Sequence, residues 1–419
     1  MQNILILGSG GREHALAWKV KKSDLCQDLY IAPGNAGTQK CGTNLNIGVL
    51  DFKKIEKAVA EYKIDLIVVG PEAPLVEGIY DYFKDHSVNV LGPSKKSSEL
   101  EGSKAFANEF MQDFNIPTAG YLTVGPNNIE EGLDYIDKQP SKIVLKADGL
   151  AAGKGVLIID DKEEAKQELK SMLSGKFGDA SARVVIEEFL DGIEFSVFVL
   201  TNGDQYQILP IAKDYKRIGE GDTGLNTGGM GAISPVPFVD DEMKQKVITR
   251  IVEPTISGLQ KRGYDYHGFI FIGLIKVNNE PYVIEYNCRL GDPETEVVLP
   301  RLKTDLLALI NGVFDKSLSD IQVEMDERTA ATVMLVSGGY PEAYEKGKTI
   351  TVNASETDSL IFHSGTKTAD DKLTTNGGRV MAVTSFGDNH KEAVNASIET
   401  IKGIQFDKMN YRKDIGFDL

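Results

Sequence analysis

The chain has 419 residues, 41% of them hydrophobic and 26% charged, which is typical of a globular protein with roughly two to four domains. The formal net charge of −16 argues against general binding to nucleic acids or to anionic membrane surfaces, which favour a basic face. No apolar run approaches the roughly 20 residues of a membrane-spanning helix, and the three cysteines lack the spacing of metal ligands. We therefore expect a cytoplasmic protein with reduced thiols.

The N-terminal part of the chain alternates short apolar strands with helical segments. Four runs have the character of buried strands: Ile4–Leu7, Leu29–Ala32, Leu66–Val69 and Val88–Leu91. A turn rich in glycine or proline follows each run. This alternation predicts a parallel sheet, in which the four turns meet at the carboxyl edge where such sheets bind ligands. Plain strand–helix connections would explain the glycines, but they explain the neighbouring polar residues less well.

The first of these turns, which begins at Gly8, has part of a dinucleotide-binding fingerprint. Glu13 stands where that fingerprint requires its last glycine, and Ala32 lies where an acidic residue should end the second strand. A glycine-rich backbone with Arg12 at a helix N-terminus suits a phosphate or a sugar instead. We interpret four histidines as packing or surface residues: His14, His86, His363 and His390.

A second glycine loop lies between two strand-like runs, Ile143–Leu145 and Val156–Ile159. Its backbone N–H groups, together with Lys146 and Lys154, are suited to hold a triphosphate. The loop is not a Walker A motif, because its glycines are too closely spaced and Gly155 stands where Ser or Thr would bind magnesium. The pattern predicts a β-hairpin whose tip folds over phosphates, since a bare turn would need neither lysine.

The segments around this hairpin complete a small α/β module. We predict a helix over Ser103–Phe114, a strand that opens at Ile116–Thr118, and a module from Tyr121 to Leu190 with two helices and a strand at Val184–Ile186. Where this last strand ends, an apolar wall and nearby carboxylates could hold a nucleoside. An edge strand with solvated charges would explain the same residues.

Two later segments carry the remaining chemical signals. The loop Gly219–Gly231 holds six glycines without the Ser and Pro repetition of linkers, and it is predicted to be an active-site loop. On a following strand, Glu285, Asn287 and Arg289 share one face, because side chains alternate along a strand. Two hard oxygen ligands suit Mg²⁺, and the guanidinium can hold a carboxylate or phosphate.

The C-terminal part begins with a polar linker over Asp315–Glu327. Beyond it, strands at Ala331–Val336 and Arg379–Thr384 and a helix over Lys391–Ile401 predict a compact α+β cap. The predicted limits of the three parts are 1–102, 103–325 with a mobile lid at about 118–190, and 326–419.

Together these segments resemble the ATP-grasp superfamily, and most closely its purine-biosynthetic family of phosphoribosylamine–glycine ligases. The resemblance covers nearly the whole chain in order and lies in Gly10–Ala15, Ala32–Thr38, Val69–Leu75, Gly92–Ser94, Leu100–Lys104, Lys146–Val156, Ile186–Leu190, Asn226–Gly231, Glu285–Glu296 and Arg412–Gly416. The chain departs from the family's usual pattern at Tyr215, where a histidine is common, and at Leu290, where a phenylalanine is common.

The resemblance implies an α/β fold with an N-terminal parallel-sheet (pre-ATP-grasp) domain, a two-part α+β ATP-grasp module and a small C-terminal α+β cap domain. It also implies the reaction of this family. ATP, glycine and 5-phosphoribosylamine give glycinamide ribonucleotide, ADP and phosphate through glycyl phosphate, in de novo purine biosynthesis.

Matching positions imply roles for individual residues. ATP would be held by Lys104, Lys146, Gly149, Gly153, Lys154, Gly155, Glu187, Glu188, Phe189, Leu190 and Glu194. Mg²⁺ or Mn²⁺ would be bound by Glu285 and Asn287, and the catalytic residues facing glycine and the amine would be Asp214, Arg289 and Asp292. The other substrate-binding positions would be Gly10, Gly11, Asn35, Gly37, Thr38, Asn226, Thr227 and Gly228.

Three alternatives remain open at this point. The chain could be another ATP-grasp ligase or carboxylase with a different acid, a nucleotide sensor without activity, or a Rossmann oxidoreductase, which Glu13 and Ala32 oppose. We expect small-molecule substrates, no nucleic acid and no membrane as partners, and a monomer or weak oligomer. The instability of phosphoribosylamine leaves room for a transient contact with the preceding enzyme of the pathway.

Overall fold

The computed structural model describes residues 1–140, 142–151, 155–353 and 357–419. Its N-terminal part is a parallel sheet with helices. Its elements are β1 (Gln2–Gly8), α1 (Gly11–Val20), β2 (Cys26–Pro33), β3 (Thr43–Asn44), α2 (Phe52–Glu61), β4 (Leu66–Val69), α3 (Glu72–Val76), α4 (Ile79–Phe83), β5 (Asn89–Pro93), α5 (Glu99–Gly102) and α6 (Lys104–Asp113). Strands β2, β1, β4 and β5 pair in parallel, as the alternating pattern predicts. Strand β4 is buried along its whole length, as expected for a strand covered on both faces.

The next part is a separate four-stranded sheet with its own core. Its elements are β6 (Tyr121–Val124), α7 (Ile129–Lys138), β7 (Ile143–Ala147), β8 (Val156–Ile159), α8 (Lys162–Ser171) and β9 (Val184–Glu188). The strand order is β6-β9-β7-β8, and β7 and β8 form the predicted hairpin. The apolar sides of α7 and α8 pack on this sheet through Ile136 and Leu169. We call residues 121–188 the lid sheet.

The next strands extend the parallel sheet of the N-terminal part, and we call the combined sheet the large sheet. The elements are β10 (Ile193–Thr201), β11 (Tyr206–Ile208), β12 (Lys213–Asp214), β13 (Arg217–Gly219), β14 (Thr223–Asn226), β15 (Gly231–Ser234), α9 (Asp241–Val247), α10 (Glu253–Lys261), β16 (Tyr266–Val277), β17 (Glu280–Asn287), α11 (Thr295–Arg301) and α12 (Leu306–Asp315). Strand β16 pairs with β5 through Tyr266–Pro93 and His267–Gly92, so one sheet runs in the order β11-β10-β16-β5-β4-β1-β2-β3, with β17 also paired to β16.

The C-terminal part shares a sheet with the preceding one. Its elements are β18 (Thr329–Val336), β19 (Thr351–Val352), β20 (Leu360–His363), β21 (Thr366–Ala369), β22 (Lys372–Thr375), β23 (Arg379–Gly387), α13 (His390–Ile401) and β24 (Ile404–Gln405). Strand β12 pairs with β15, and β15 pairs with β18, in a sheet ordered β12-β15-β18-β23-β20. The predicted domain limits stay a prediction, but hydrogen-bonded strands cross them at two places.

Two local predictions were wrong. No strand opens at Ile116–Thr118, where Thr118 makes a single bridge to Val283. Strand β17 ends at Asn287, so Arg289 does not continue its face. The hairpin of β13 and β14 runs from Arg217 to Asn226 and so overlaps the loop Gly219–Gly231, whose role in the active site stays a prediction. Within the described residues, no helix combines the length and the apolar character needed to cross a membrane.

Candidate active site

The candidate site lies where the end of β17, the first turn of α6 and the lid sheet meet. Glu285 on β17 lies near four cationic side chains, of which Lys104 approaches within 3.8 Å. Burial acts to raise the pKa of Glu285, but Lys104, Lys216, Lys146 and Arg289 together hold it below its ordinary value. The carboxylate is therefore ionised at neutral pH. It offers hard oxygen atoms at a point where cationic side chains converge.

Lys146 enters this site from β7 and forms a buried ion pair. Its ammonium lies 2.6 Å from the Glu187 carboxylate, and both side chains are less than one-tenth exposed. Lys146 also donates to the carbonyl of Ile284 over 3.0 Å, while Asn108 donates to the other oxygen of Glu187 over 3.2 Å. These contacts fix the ammonium between the lid sheet and β17. A polyphosphate there would meet a pre-positioned charge.

The backbone that follows β9 has free donors at two of the four predicted adenine-binding positions. Glu187 pairs with Tyr121 on one side and Val144 on the other, so its backbone is taken up by the sheet. The Glu188 N–H donates to a carbonyl of the preceding β6 turn, Gly120, over 2.8 Å. Glu187 is thus held in the sheet through its backbone, and its binding of adenine stays a prediction. Its side chain, through Lys146, is what reaches the site.

The N–H groups that remain for an adenine edge follow the end of the strand. Those of Phe189 and Leu190 have no hydrogen-bond partner among the described residues. Both side chains are half-buried, and the Lys142 ammonium lies 5.3 Å from the centre of the Phe189 ring. An apolar wall beside free backbone donors is the arrangement that a planar base requires.

The glycine loop of the predicted hairpin is partly described. The N–H of Gly149 donates to Ala180 over 2.9 Å, and the carbonyl of Gly155 accepts from Ala147 over 2.8 Å. Gly153 and Lys154 lie outside the described residues. The contact of this loop with phosphates stays a prediction.

Glu285 and Asn287 have the chemistry of a Mg²⁺ or Mn²⁺ site. They lie two residues apart on β17, and the Asn287 amide oxygen accepts from Arg289 over 3.1 Å. Among the described residues, no group of three or more His, Cys, Asp or Glu side chains could by itself hold a metal. One carboxylate and one amide oxygen suit Mg²⁺, which usually takes its other ligands from phosphates and water.

Asp214 belongs to an ion-pair chain that the sequence revealed only in part. The ammonium of Lys216 lies 2.6 Å from Glu194 and 3.0 Å from Asp214. Burial would lower the pKa of Lys216, but the two carboxylates raise it well above its ordinary value. Lys216 was not among the predicted site residues, although its position two residues after Asp214 on an extended segment could have indicated it. Glu194 remains close to half-exposed, so a ribose could still reach it.

Arg289 is held by acidic residues from the N-terminal part of the chain. Its guanidinium lies 2.9 Å from Glu101 and 3.6 Å from Glu72. Burial raises the pKa of Glu101 although Arg289 opposes the shift, and the same carboxylate accepts from the Cys288 N–H over 2.7 Å. Neither Glu101 nor Glu72 was predicted as a site residue. Each is identified only by its contact with Arg289, which lies far away in the sequence.

Asp292 joins three parts of the molecule. Arg379, at the start of β23, lies 3.0 Å from the Asp292 carboxylate and donates to its carbonyl over 2.7 Å. The same guanidinium donates to Gly228 over 2.5 Å. A β-carbon at Gly10 would lie 3.1 Å from the other Asp292 oxygen. The cap thus contributes Arg379 to the site, which no local sequence signal indicated.

The first turn is stabilised by the residue that breaks the dinucleotide fingerprint. The Glu13 carboxylate accepts from the Gly10 N–H over 2.5 Å and from Arg12 over 2.7 Å. A β-carbon at Gly11 would overlap the buried carboxyl of Glu296. Gly10 and Gly11 therefore allow this turn to approach Asp292 and Glu296 closely.

Asn35, Gly37 and Thr38 form a buried brace behind this turn. The Asn35 amide donates to Ser9 over 2.9 Å and to His363 over 2.8 Å, and its oxygen accepts from the N–H groups of Gly37 and Thr38. The Thr38 hydroxyl is fully buried and donates within the same network. With these side chains engaged, the brace shapes the turn, and direct contact with a substrate stays a prediction.

The remaining predicted substrate residues lie on the glycine-rich loop. Asn226 is exposed, Thr227 donates to the carbonyl of Lys216 over 2.7 Å, and the Gly228 N–H donates to Tyr340 over 3.0 Å. The structure therefore brings Gly228 to the site through Arg379. It leaves the Asn226 side chain open to solvent.

Comparisons with known proteins agree along the whole chain. Sequence models of the phosphoribosylglycinamide synthetase N, ATP-grasp (A) and C domains match residues 2–101, 102–295 and 330–418. The phosphoribosylamine–glycine ligase of Haemophilus influenzae is 43% identical over 421 residues, covering 99% of this chain and 98% of the relative. That of Escherichia coli O6:H1 is 44% identical over 421 residues, with the same coverage.

Solved structures give the same result. The crystal structure of phosphoribosylamine–glycine ligase from Thermotoga maritima superposes with a TM-score of 0.87 at 38% identity, covering 99% of this chain and all of the other. A biotin carboxylase from Campylobacter jejuni, 14% identical, has a TM-score of 0.74 over 100% of this chain and 94% of its own, and so shares the fold alone. The chain belongs to the phosphoribosylglycinamide synthetase family, whose ATP-grasp (A) domain match includes Lys104, Lys146, Glu285 and Asn287 of the site.

Proposed function

We propose that the protein catalyses the ATP-dependent ligation of glycine to 5-phosphoribosylamine, giving glycinamide ribonucleotide, ADP and phosphate, in de novo purine biosynthesis. The observation that carries the proposal is the match to this ligase family over nearly the whole chain, including the long loops around the cleft. The site supports it, because a buried lysine, a hard-oxygen pair and an arginine at one cleft suit transfer of a phosphoryl group to a carboxylate.

The chemistry needs no protein nucleophile. The glycine carboxylate attacks the γ-phosphate of ATP to give glycyl phosphate, and the amine of phosphoribosylamine then displaces phosphate. Lys146 and Lys104 bind the phosphates, and the N–H groups after β9 bind adenine. Arg289 orients the glycine carboxylate. Positioning of this kind supplies most of the rate enhancement when two substrates must meet in one geometry.

Mg²⁺ or Mn²⁺ would be held by Glu285 and Asn287, where it would neutralise phosphate charge. Substituting Glu285→Gln should raise the Mg²⁺ concentration needed for half-maximal ATP turnover by about 10-fold or more, because a direct ligand is worth at least as much as a supporting partner. Glu280→Gln is the matched control, since Glu280 lies at the other end of β17 and pairs with Lys246. An unchanged Mg²⁺ requirement for Glu285→Gln would remove Glu285 from the metal site.

The test of the reaction is phosphate release from ATP and Mg²⁺, with glycine and freshly generated phosphoribosylamine each omitted in turn. The expected result is release that requires both, with glycinamide ribonucleotide formed. Release that responds to another small acid and ignores glycine would keep the ATP-grasp chemistry but contradict the ligase assignment. A cytoplasmic location, a monomer or weak oligomer, and a transient contact with the enzyme that supplies phosphoribosylamine stay predictions.

A further inference from the structure

The extended segment that begins with β12 has two faces with different partners. Side chains alternate along such a segment, and Asp214 and Lys216 form their ion pair on the face toward the site. On the other face, the Lys213 ammonium lies 3.2 Å from one oxygen of Asp418, and the Tyr215 hydroxyl donates to the other over 2.8 Å. The Asp418 carboxylate thus holds both Lys213 and Tyr215, which alternate along the segment with Asp214 and Lys216.

A second contact joins the same C-terminal segment to the β13–β14 hairpin. Arg412, whose side chain is 1% exposed, donates to both oxygens of Asp414 over 2.8 Å. It also donates to Asp222 over 2.6 Å and to the Arg217 carbonyl over 3.1 Å, while Asp414 accepts from the Gly221 N–H over 2.7 Å. Charge-assisted bonds of this kind are stronger than neutral ones. They tie the first strand of the hairpin, at Arg217, and its turn, at Gly221 and Asp222, to the C-terminal segment.

Between these two contacts the segment packs on β15. Ile415 is buried, and a β-carbon added at Gly231 would come within 2.8 Å of its side chain. Gly416 has a φ of +88°, which favours glycine, and it brings the chain against Ile233. The Phe417 and Tyr215 ring centres are 6.1 Å apart. The segment therefore packs against β15 and against Tyr215, on the side of these strands that faces away from the site.

We propose that the segment Arg412–Asp418, called the strap below, is a positioning element that holds Asp214 and Lys216 in place for the reaction. Among the described residues, the strap reaches Asp214 and Lys216 through Lys213 and Tyr215, which alternate with them, so it acts by placement. The inference rests on the proposed function, because the effect of placement is measured on the ligation of glycine.

The physical consequence of losing Asp418 follows from burial. Lys213 is 6% exposed, and Asp418 is its ion-pair partner among the described residues. A buried ammonium without a partner is costly, so the segment would shift toward another acceptor. The charge of Lys216, its ion-pair partner, and that of Lys213 both lower the pKa of Glu194, so a shift of Lys213 toward that carboxylate would disturb the ion-pair chain.

The test uses the full chain with Asp418→Asn and, separately, Tyr215→Phe, which removes only the hydroxyl donor. The expected result for Asp418→Asn is a fall in kcat/KM for glycine of roughly 10- to 100-fold, the range for a displaced positioning group. KM for glycine should rise. The melting temperature should also fall, because the buried Lys213 ammonium loses its partner, so kinetics are measured per folded protein. Tyr215→Phe should show the same change to a smaller degree. Asp418→Glu should recover part of the loss.

Asp407→Asn is the matched control, because Asp407 forms an exposed pair with Lys348 in the same part of the chain. It should leave both kinetics and melting unchanged. If the wild-type protein is active but Asp418→Asn and Tyr215→Phe keep its KM for glycine, the strap has no positioning role. If they lose only folded protein, with unchanged KM, the strap is structural alone. Wild-type protein that does not ligate glycine would overturn the proposed function itself, together with the strap's role in it.

Discussion

Lys146 and Glu187 lie almost wholly out of water, so we expect both stability and nucleotide binding to depend on the charges of this pair. Lys146→Met would leave a buried carboxylate with Asn108 as its remaining side-chain donor. Removing one partner of a buried pair costs about 3–5 kcal/mol. We expect this loss in urea unfolding, together with loss of measurable ATP binding by calorimetry.

A double substitution separates the two effects. Lys146→Met with Glu187→Gln removes the orphaned charge, so most of the stability should return while ATP binding stays lost. Lys402→Met is the control, because its pair with Glu399 is more than half exposed on both sides and should contribute less than about 1 kcal/mol. If the double variant recovers ATP affinity, Lys146 does not bind the nucleotide.

Gly11 shows how one missing β-carbon shapes the site. An alanine there would overlap Glu296, which is fully buried and whose carboxyl oxygens have no hydrogen-bond partner among the described residues. Burial and nearby Asp292 raise the pKa of Glu296 well above its ordinary value. Because Glu296 cannot move into solvent, Gly11→Ala should cost about 1–3 kcal/mol. It should also raise KM for phosphoribosylamine.

The comparison for this glycine is Gly48→Ala. A β-carbon at Gly48 meets no atom within 4 Å, so that variant should match the wild type in both unfolding and kinetics. Equal KM values for phosphoribosylamine in Gly11→Ala and the wild type would show that the first turn lies outside the substrate site.

At the scale of elements, the contact between α1 and β20 depends on two buried histidines. The His363 N–H donates to the ring nitrogen of His14 over 2.7 Å. Burial lowers the pKa of His14 to about 3, with further lowering by His363 and Lys40, and lowers that of His363 to about 4. Both rings are therefore neutral in the folded protein. The interpretation of His14 and His363 as packing residues agrees with this contact.

The sign of the pH dependence follows. In the unfolded chain these rings titrate near 6.5, so between roughly pH 4 and 6.5 the unfolded state binds protons that the folded state does not. Stability should be fully present above pH 6.5 and fall as pH decreases, by up to about 1.4 kcal/mol per pH unit for each ring. Urea unfolding between pH 4.5 and 7.5 measures the slope.

Two variants test the assignment to this contact. His14→Gln removes one titrating group and should flatten the slope, whatever it does to stability at pH 7. His86→Gln is the comparison, because that ring lies at the surface beside Glu56 and outside this contact. A slope that His14→Gln does not alter would place the acid sensitivity elsewhere in the protein.

The elements also show what a sequence can reveal. The buried parallel strands and the β7–β8 hairpin were predictable because their signals, continuous apolar runs and glycine turns, are local. The pairing of β5 with β16 joins residues far apart in the chain and leaves no local pattern. The same holds for Arg379 and Glu101, which are ordinary charged residues until the fold places them beside Asp292 and Arg289. Tyr215 likewise has a partner distant in the chain, Asp418, which no local pattern indicates.

At the scale of the whole molecule, the described residues form two kinds of unit. The large sheet crosses the first predicted domain limit, and the five-stranded sheet β12-β15-β18-β23-β20 crosses the second. The three predicted domains therefore share hydrogen-bonded strands. The lid sheet instead has a core of its own, built around Leu169, Ile136 and Ile186. Units that share no strands can open separately. We therefore expect residues 121–188 to unfold before the rest of the chain.

Leu169→Ala tests this expectation. The side chain is fully buried in the lid core, so its truncation should cost about 2–5 kcal/mol. Hydrogen exchange should quicken across β6, β7 and β9 but not across β1 and β4. ATP with Mg²⁺ should slow hydrogen exchange in these strands again, because the nucleotide would hold Lys146 and β17 together. Such closure would also exclude water from the acyl phosphate. Leu309→Ala, equally buried in the core of the large sheet, should instead quicken exchange in β1 and β4. Faster exchange in β1 and β4 for Leu169→Ala would show that the lid sheet unfolds only with the whole molecule and cannot close as a separate lid.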